Sequence, residues 1–308
     1  MTNDMVIQTN GLTKRFGKVT AVDDLSMEVR RGRVYGLLGP NGSGKTTTMG
    51  MLLGVLRPTA GSFRLFGSSE RHEESLRRVG AVIESPAFYP YMSGRQNLEY
   101  FRFISGRGSS ADVDDVLEMV GLAGRGDDRF RTYSLGMKQR LGIGYALLGE
   151  PEIVCLDEPT NGLDPEGMIQ VRELIRGLGG GNRTVLLSSH LLHEVEQVCD
   201  SVTIISKGKL VVQGDVAELV RAAKGEQVRV KTTDNVKARE ILSALDWVGE
   251  VGAAEDGALV VTAPTERSGE LTAAMSHSQV YVTEMAPVQT SLEEYFLDVT
   301  GSEEGRAG

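Results

Sequence analysis

The chain lacks long apolar runs and clusters of cysteine, and both absences exclude whole classes of protein. No stretch reaches the roughly 18 apolar residues of a membrane span, and the start MTNDMVIQTNG has neither the basic nor the apolar part of a secretory signal. We therefore expect a cytoplasmic chain that does not itself form a membrane pore. The two cysteines, Cys155 and Cys199, lie in apolar surroundings. We expect both to be buried, without a disulfide framework or a zinc site.

An excess of positive charge is also absent. The 308 residues carry a formal charge of −9. Residues 224–308 hold 7 basic and 15 acidic side chains, against 26 and 27 in residues 1–223. Proteins that bind nucleic acids usually present a basic surface to the phosphate backbone, so we expect no nucleic acid among the partners. The length allows about two domains of roughly 100–200 residues each.

Apolar runs separated by helical segments extend along the first two thirds of the chain. The predicted strands are 25–29, 34–38, 79–83, 153–156, 185–187 and 202–205, and the predicted helices include 45–56 and 111–122. Buried strands that alternate with helices favour an α/β fold in which a mostly parallel sheet is covered on both faces.

A second, smaller pattern begins after residue 223. It contains predicted strands at 228–231, 259–262 and 280–282 and predicted helices at 238–245 and 271–275. This pattern indicates a small α+β domain over residues 224–300. A capping box at residues 291–294 predicts a final helix over 292–299, and we expect residues 301–308 to be a disordered tail.

A glycine-rich loop follows the predicted strand 34–38. Residues 39–46, GPNGSGKT, match the pattern G-x-x-x-x-G-K-[ST] and lie directly before a predicted helix. Glycines in this pattern let backbone N–H groups surround phosphates, and the helix N-terminus favours their negative charge. Lys45 is expected to bridge the β- and γ-phosphates, and the Thr46 hydroxyl to bind Mg²⁺. A glycine turn that binds nothing is the alternative.

Two carboxylates follow the predicted strand 153–156. Asp157 suits an outer ligand of the Mg²⁺ water shell, and Glu158 suits a base that orients or deprotonates the attacking water. Acidic residues at a strand end are often only helix caps. The complete phosphate-binding pattern in the same chain favours the catalytic interpretation.

Three further motifs make the chain resemble the ATP-binding subunits of ABC transporters. Residues 134–139, SLGMKQ, are similar to the family's signature motif, although Leu135 and Met137 replace two of its usual residues. Residues 161–164, NGLD, resemble the loop that crosses between subunits, and His190 corresponds to the switch histidine. The resemblance covers about residues 5–220 and includes five motifs in the family's order.

The resemblance implies a P-loop NTPase of the ABC type over residues 1–223. Such a domain has a mainly parallel sheet core, an antiparallel N-terminal β subdomain and a helical subdomain, and the C-terminal segment resembles the accessory domain of exporter-type subunits. Two copies would sandwich two ATP molecules, each between the phosphate loop of one copy and the signature motif of the other.

The resemblance also assigns expected roles to individual residues. The implied catalytic residues are Glu158, His190 and Lys45, with His190 at the γ-phosphate. The implied Mg²⁺ site consists of Thr46, Asp157 and Glu84. The implied ATP-binding residues are Phe16, which would stack on adenine, together with Gly39, Pro40, Asn41, Gly42, Ser43, Gly44, Lys45, Thr46, Thr47, Glu84, Ser134, Gly136 and Asp164.

Glu84 departs from the family pattern. The family has glutamine at the end of the strand before the helical subdomain, where it contacts Mg²⁺ and the transmembrane partner. The run 83–90, IESPAFYP, places a glutamate there, which resembles the subgroup associated with bacitracin and lantibiotic export or self-protection. A solvated loop glutamate without a special role is the alternative.

Together these features predict an ATPase that powers a separate transmembrane permease, exporting a peptide antibiotic, a drug or a lipid-like substrate. The permease would hold the subunit at the inner face of the cell membrane. The alternative is a soluble ABC-type ATPase acting on ribosomes or DNA. It is disfavoured because the chain has one ATP cassette and no heptads in the 87 residues between Thr46 and Ser134. Glu158 and His190 also argue against a regulatory module that binds ATP without turnover.

Overall fold

The computed structural model describes residues 4–69, 73–84, 87–223, 227–254 and 256–288. The predicted final helix 292–299 and the tail 301–308 lie outside these residues. The chain divides into two compact units, Met1–Val216 and Ala217–Gly308. The predicted domain boundary after residue 223 falls at the end of the helix that begins at this division. We keep that boundary as a proposal.

The strands are numbered in chain order. They are β1 (Met5–Phe16), β2 (Val19–Leu25), β3 (Glu28–Arg30), β4 (Val34–Leu38), β5 (Ala60–Leu65), β6 (Ser68–Ser69), β7 (Val79–Val82), β8 (Ile153–Asp157), β9 (Thr184–Ser189), β10 (Ser201–Ser206), β11 (Lys209–Asp215), β12 (Gln227–Thr232), β13 (Val251–Ala253), β14 (Leu259–Thr262) and β15 (Val282–Pro287).

The helices are numbered in the same way. They are α1 (Lys45–Leu52), α2 (Glu73–Arg77), α3 (Gly94–Ser105), α4 (Ser110–Met119), α5 (Leu135–Leu147), α6 (Pro165–Leu178), α7 (Leu192–Val198), α8 (Val216–Ala223), α9 (Asn235–Ser243) and α10 (Ser268–His277). None of them combines the length and the apolar composition that crossing a bilayer requires.

The central sheet of the first unit has six strands in the order β11-β10-β4-β9-β8-β7. All neighbours are parallel except the edge pair β10–β11, which is antiparallel. Every residue of β4, β8 and β9 is buried. Strands buried on both faces have continuous apolar runs, which is why the sequence predicted these strands correctly.

A second sheet in the same unit is antiparallel. Its strands are ordered β2-β1-β5-β6, and β3 pairs with β1 as well. Buried side chains of this sheet, including Leu12, Leu25 and Phe63, join those of β4 and α1 in one apolar core. The alternation at 25–29 predicted one strand, whereas the chain leaves β2 after Leu25 and enters β3 at Glu28.

Helices α3, α4 and α5 form a helical subdomain between β7 and β8. A capping box begins α3, because Ser93 Oγ accepts from the Gln96 amide while the Gln96 side chain accepts from the Ser93 amide. The apolar face predicted for 111–122 is buried in α4 at Val113, Val116 and Leu117.

The second unit contains the succession β12-α9-β13-β14-α10-β15. Its sheet is antiparallel with the order β13-β14-β12-β15, the split β-α-β arrangement. The core of this unit is formed by buried side chains that include Val230, Leu242, Val261, Leu271 and Met275. The last predicted strand, 280–282, instead runs from Val282 to Pro287.

Cys155 and Cys199 are free and buried, as predicted. Burial raises the pKa of the Cys155 thiol to about 12, and it raises the pKa of the Cys199 thiol as well. Both thiols therefore stay protonated and unreactive, and they serve packing in the first unit.

Candidate nucleotide-binding site

The site residues gather at the carboxyl edge of the central sheet. Leu38 pairs with Ser189, Asp157 pairs with Ser188, and Val82 pairs with Leu156. The segments that follow β4, β7, β8 and β9 therefore leave the sheet side by side. They contain the glycine-rich loop, Glu84, Glu158 and His190. Parallel strands bring their carboxyl ends to one edge, and this is where open α/β sheets bind their ligands.

The glycine-rich loop is tightly enclosed by its neighbours. A Cβ atom on Gly44, which has φ 105°, would lie 2.4 Å from the Ala21 carbonyl oxygen. A Cβ atom on Gly39 would lie 2.1 Å from the Ile205 carbonyl oxygen. Only glycine fits at these two positions. The Ser43 hydroxyl is buried and has no hydrogen-bond partner within the described part of the chain, so it can bind a phosphate oxygen.

Lys45 begins α1 and is 5% exposed. Its ammonium group donates to the carbonyl oxygens of Gly39 at 2.8 Å and Pro40 at 3.3 Å, and it lies 3.2 Å from Glu158 Oε1. Its partners among the described residues therefore belong to the loop and to the segment that directly follows β8. This places a positive charge among the groups that would surround a phosphate.

Thr46 and Asp157 form a pair of oxygen donors. The Thr46 hydroxyl donates to Asp157 Oδ2 at 2.7 Å, while Ser188 donates to Asp157 Oδ1. The Ser188 hydroxyl also accepts from the Glu158 amide at 2.9 Å. Hydroxyl and carboxylate oxygens are ligands that Mg²⁺ prefers, so this donor set fits the ion. Within the described residues no group of three His, Cys, Asp or Glu side chains could hold a metal by itself.

Glu158 lies between two basic groups. Its Oε2 is 2.8 Å from His190 Nδ1, and its Oε1 is 3.2 Å from Lys45 Nζ. The backbone of Glu158 is left-handed, with φ 47°, which for a residue other than glycine marks a constrained turn. This turn points the carboxylate across the edge of the sheet toward the segment that follows β9.

Glu84 follows β7 and is exposed. Its backbone is also left-handed, with φ 59°. No hydrogen bond or ion pair joins its carboxylate to another described residue. Since Val82 pairs with Leu156, Glu84 leaves the sheet at the same level as Glu158 on the neighbouring strand. The carboxylate is thus available to a ligand or a partner.

Ser134 and Asp164 are exposed residues at helix N-termini. Each caps a helix: Ser134 Oγ accepts from the Met137 amide at 3.2 Å, and Asp164 Oδ1 accepts from the Gly167 amide at 3.0 Å. The two helix N-termini are adjacent, since a Cβ atom on Gly136 would lie 3.6 Å from Gly167 Cα. Within the described residues, no hydrogen bond joins this exposed pair of caps to the loop 39–46 of the same chain.

Phe16 ends β1 and pairs with Val19 across the hairpin to β2. The ring is 48% exposed, and Lys14 Nζ lies 5.0 Å from its centroid. It is therefore free to stack on a planar ligand. The same strand β2 contributes the Ala21 carbonyl that lies against Gly44.

Comparison with known proteins identifies the family. A family model described as ABC transporter matches residues 22–161. The chain is 38% identical to the bacitracin transport ATP-binding protein BcrA of Bacillus licheniformis, over 96% of this chain and 97% of that protein. It is 34% identical to the daunorubicin resistance ATP-binding protein DrrA3 of Streptomyces coeruleorubidus, over 97% of both chains. The chain belongs to the ATP-binding subunits of ABC transporters.

The fold agrees with a solved structure of this family. A structure described as an ATP-binding subunit of an ABC transporter superposes with a TM-score of 0.60 at 27% identity, over 70% of this chain and 92% of that one. As an ABC-type subunit the protein is an ATPase that binds ATP. The predicted family and fold class are confirmed.

The sequence interpretation missed three residues that connect the site. Ser188 joins Asp157 to the Glu158 amide, and Thr160 bonds Glu194. Two polar residues at the end of an otherwise apolar strand, Ser188 and Ser189, were the available signal. No local pattern indicates the Thr160–Glu194 pair, because 34 residues separate the two side chains.

Proposed function

We propose that this ATPase powers a separate transmembrane permease that exports a peptide antibiotic, a drug or a lipid-like molecule. The observation that carries the ATPase role is the placement of Glu158 between Lys45 and His190 beside the phosphate loop. The export role rests on the relatives, whose names refer to bacitracin transport and daunorubicin resistance.

In the proposed mechanism the residues of the sheet edge act on the terminal phosphate. The loop amides, Ser43 and Lys45 bind the phosphates. Thr46 and Asp157 would hold Mg²⁺, which would supply positive charge against the phosphate oxygens. Glu158 orients the attacking water and accepts its proton, while His190 holds Glu158 by the 2.8 Å contact and reaches the γ-phosphate. Phe16 would stack on the adenine, and Glu84 would serve as a ligand of the metal or as a contact of the permease.

The active form is proposed to be a homodimer. Ser134, Gly136 and Asp164 are expected ATP ligands, yet their caps have no hydrogen bond to the loop of their own chain among the described residues. They are at the surface, where a second copy can use them. Each ATP would then be bound by the loop of one copy and by Ser134 and Gly136 of the other, an isologous arrangement with two equal sites.

Isolation of the partner tests the export role. The full-length chain with an affinity tag is purified from solubilised membranes, and the co-purified proteins are identified by mass spectrometry. We expect a multi-span membrane protein, and deletion of the gene for this chain should raise sensitivity to a peptide antibiotic or drug. Recovery with ribosomes or DNA, with no membrane protein, would contradict the proposal. Phosphate release by the purified complex tests the ATPase activity separately.

A further inference from the structure

A buried pair of side chains joins the two segments that contain the catalytic residues. The Thr160 hydroxyl donates to Glu194 Oε2 at 2.5 Å, the short distance typical of a hydroxyl bound to a charged carboxylate. Thr160 is 7% exposed and Glu194 is 8% exposed. Neither residue belongs to the motifs that identified the site, and neither is among the residues to which a role was assigned above.

We propose that Glu194 is a positioning residue for ATP hydrolysis. Its carboxylate holds Thr160 and thereby keeps Glu158 opposite His190. The inference rests on the proposed function, because it requires Glu158 to act on the attacking water. It concerns the rate of hydrolysis and not the binding of ATP.

The route from this pair to the catalytic residues is short on both sides. Thr160 lies two residues after Glu158, and Glu194 lies four residues after His190, in the first turn of α7. The turn from Glu158 to Asp164 is closed by bonds from the Asn161 amide to the Glu158 carbonyl at 3.1 Å and from the Leu163 amide to the Thr160 carbonyl at 3.2 Å. A displacement of Thr160 is therefore transmitted to Glu158.

Among the described residues, few other side-chain contacts join the two segments where they follow the paired strands β8 and β9. Ser188 fixes Asp157 and the Glu158 amide, and His190 contacts the Glu158 carboxylate. Beyond Glu158 the bond between Thr160 and Glu194 joins the same two segments again. The left-handed backbone of Glu158 is constrained, so it needs support on both sides. Thr160 and Glu194 supply this support two residues after Glu158, in a pocket that they share with Leu187 and Ser189 of β9.

Burial makes this bond sensitive to single substitutions. Removing the hydroxyl leaves a buried carboxylate without its donor, and removing the carboxylate leaves a buried hydroxyl without its acceptor. In either variant the segment that contains the unpaired group would have to shift. Misplacement of reacting groups by about 1 Å can reduce rates roughly a hundredfold. Arg172 and Val198 line the same narrow pocket, and the Arg172 guanidinium donates to Gln197 at 2.8 Å.

The alternative is that Glu194 only stabilises the fold, because a negative charge in the first turn of α7 interacts favourably with the helix dipole. Thr160→Val separates the two explanations, since it removes the hydroxyl, keeps the shape and leaves the charge of α7 unchanged. For a positioning role, Thr160→Val lowers kcat for ATP by about ten- to a hundredfold with KM within about twofold, and Thr160→Ser restores kcat to within about threefold. For a stabilising role, Thr160→Val leaves kcat per folded protein at the wild-type value.

The experiment measures phosphate release by the full-length chain with its co-purified permease. Asp112→Asn is the matched control, because Asp112 also accepts from a hydroxyl, that of Ser109 at 2.5 Å, and this bond in the first turn of α4 is exposed. Its kcat should be unchanged. The double variant Thr160→Val with Glu194→Leu should lose no more activity than the worse single variant, since both remove one bond.

Three outcomes would overturn the inference. Multiplied losses in the double variant would show that Thr160 and Glu194 act separately. Wild-type kcat in Thr160→Val, with turnover lost in Glu158→Gln, would refute the positioning role and leave the proposed function intact. Equal turnover in wild type and Glu158→Gln would instead refute the proposed site, and the positioning role with it.

Discussion

The Lys45 ammonium group lies 3.2 Å from Glu158 Oε1 and 2.8 Å from the Gly39 carbonyl oxygen. Lys45 is 5% exposed, and it is the residue proposed to bind the γ-phosphate. A nucleotide phosphate would therefore replace existing partners of a buried charge. The binding free energy that this contact adds is then smaller than a new ion pair would give. In the proposed mechanism the same exchange would release Glu158 from the lysine, so that the carboxylate could turn to the attacking water.

Lys45→Ala should abolish ATP turnover and also weaken the fold slightly. Turnover should fall at least about a hundredfold, because the loop loses its cation at the phosphates. The free energy of unfolding should fall by about 1–3 kcal/mol, because the Gly39 carbonyl and Glu158 lose a buried partner. Phosphate release and urea denaturation measure the two effects. Lys209→Ala is the control, since that lysine is 70% exposed and 3.5 Å from Asp23. Wild-type turnover in Lys45→Ala would refute the site.

The parallel part of the fold was predictable because its strands are buried on both faces. The run at 34–38 matches β4, and the run at 153–156 extends by one residue to Asp157. Strand β1 was not predicted, since its 12 residues alternate irregularly and its pairing with β2 shifts register near Lys14. The helix predicted at 45–56 ends at Leu52, because the chain turns at Gly54, which has φ 72°.

The motifs predicted which residues form the site, but not how they contact one another. Strand order brings Ser188 to Asp157 across 31 residues and Thr160 to Glu194 across 34 residues. Such pairs depend on which strands are neighbours, and a single sequence does not encode that locally. The left-handed backbone at Glu158 is similarly hidden, because glutamate is not a residue type that signals φ above zero.

Two inactive variants should restore activity when they are mixed, if the dimer is arranged as proposed. Ser134→Arg blocks the site that it forms with the partner's loop, and Glu158→Gln blocks the site of its own loop. A mixed dimer then has one site with both residues intact and one with both changed. Random mixing should give about a quarter of wild-type turnover, since about half of the dimers are mixed and each has one of two sites.

Each variant alone is the control for this mixing experiment and should be inactive. Glu158→Gln alone should still bind ATP, because Lys45 and Thr46 remain. It should form a stable dimer on size-exclusion chromatography, because the amide does not accept the water's proton and the bound ATP is therefore not hydrolysed. A mixture as inactive as its components would contradict the sandwich. So would activity of Ser134→Arg alone.

Glu152 should stabilise the first unit in a pH-dependent way. It accepts from Arg78 Nε at 2.6 Å and from Arg31 at 2.5 Å. Hydrogen bonding to Arg78, with a further contribution from Arg31, lowers the pKa of Glu152 from its usual value to about 2. A carboxyl group whose pKa is lowered in the folded chain stabilises the fold fully when the pH is above its pKa in the unfolded chain, about 4.3. This contribution is lost as the pH falls toward about 2.

Glu152→Gln should therefore cost about 1–3 kcal/mol of unfolding free energy at pH 7, and the difference from wild type should shrink as the pH falls below about 4. Urea denaturation at several pH values measures it. Glu73→Gln is the matched control, because its bond to Arg77 is exposed and should contribute less than about 0.5 kcal/mol at any pH. A pH-independent cost of Glu152→Gln would show that shape, and not charge, explains the loss.

Glu84 should set the Mg²⁺ requirement of turnover. The backbone of Glu84 leaves the sheet beside Glu158. Its side chain is exposed and has no ion pair among the described residues. Two unit charges about 4 Å apart interact by about 4 kcal/mol at an effective dielectric near 20. The sign of the charge nearest to the Glu84 carboxylate therefore matters. Facing phosphate it would oppose ATP binding, whereas facing the metal it would be a stronger ligand than glutamine. A transporter must bind ATP, so we expect the carboxylate to face the metal, its water or a cation of the permease.

Glu84→Gln should keep ATP binding and raise the Mg²⁺ concentration for half-maximal turnover by about three- to tenfold, since a tenfold change corresponds to about 1.4 kcal/mol. If the carboxylate pairs with the permease instead, the Mg²⁺ requirement stays unchanged and ATP turnover becomes less coupled to export. Glu150→Gln is the matched control, because Glu150 is also an exposed glutamate with a left-handed backbone, at φ 50°. Phosphate release against Mg²⁺ and drug efflux from cells measure both effects. A Glu84→Gln variant that equals Glu150→Gln in Mg²⁺ dependence and in export would make Glu84 an ordinary loop residue.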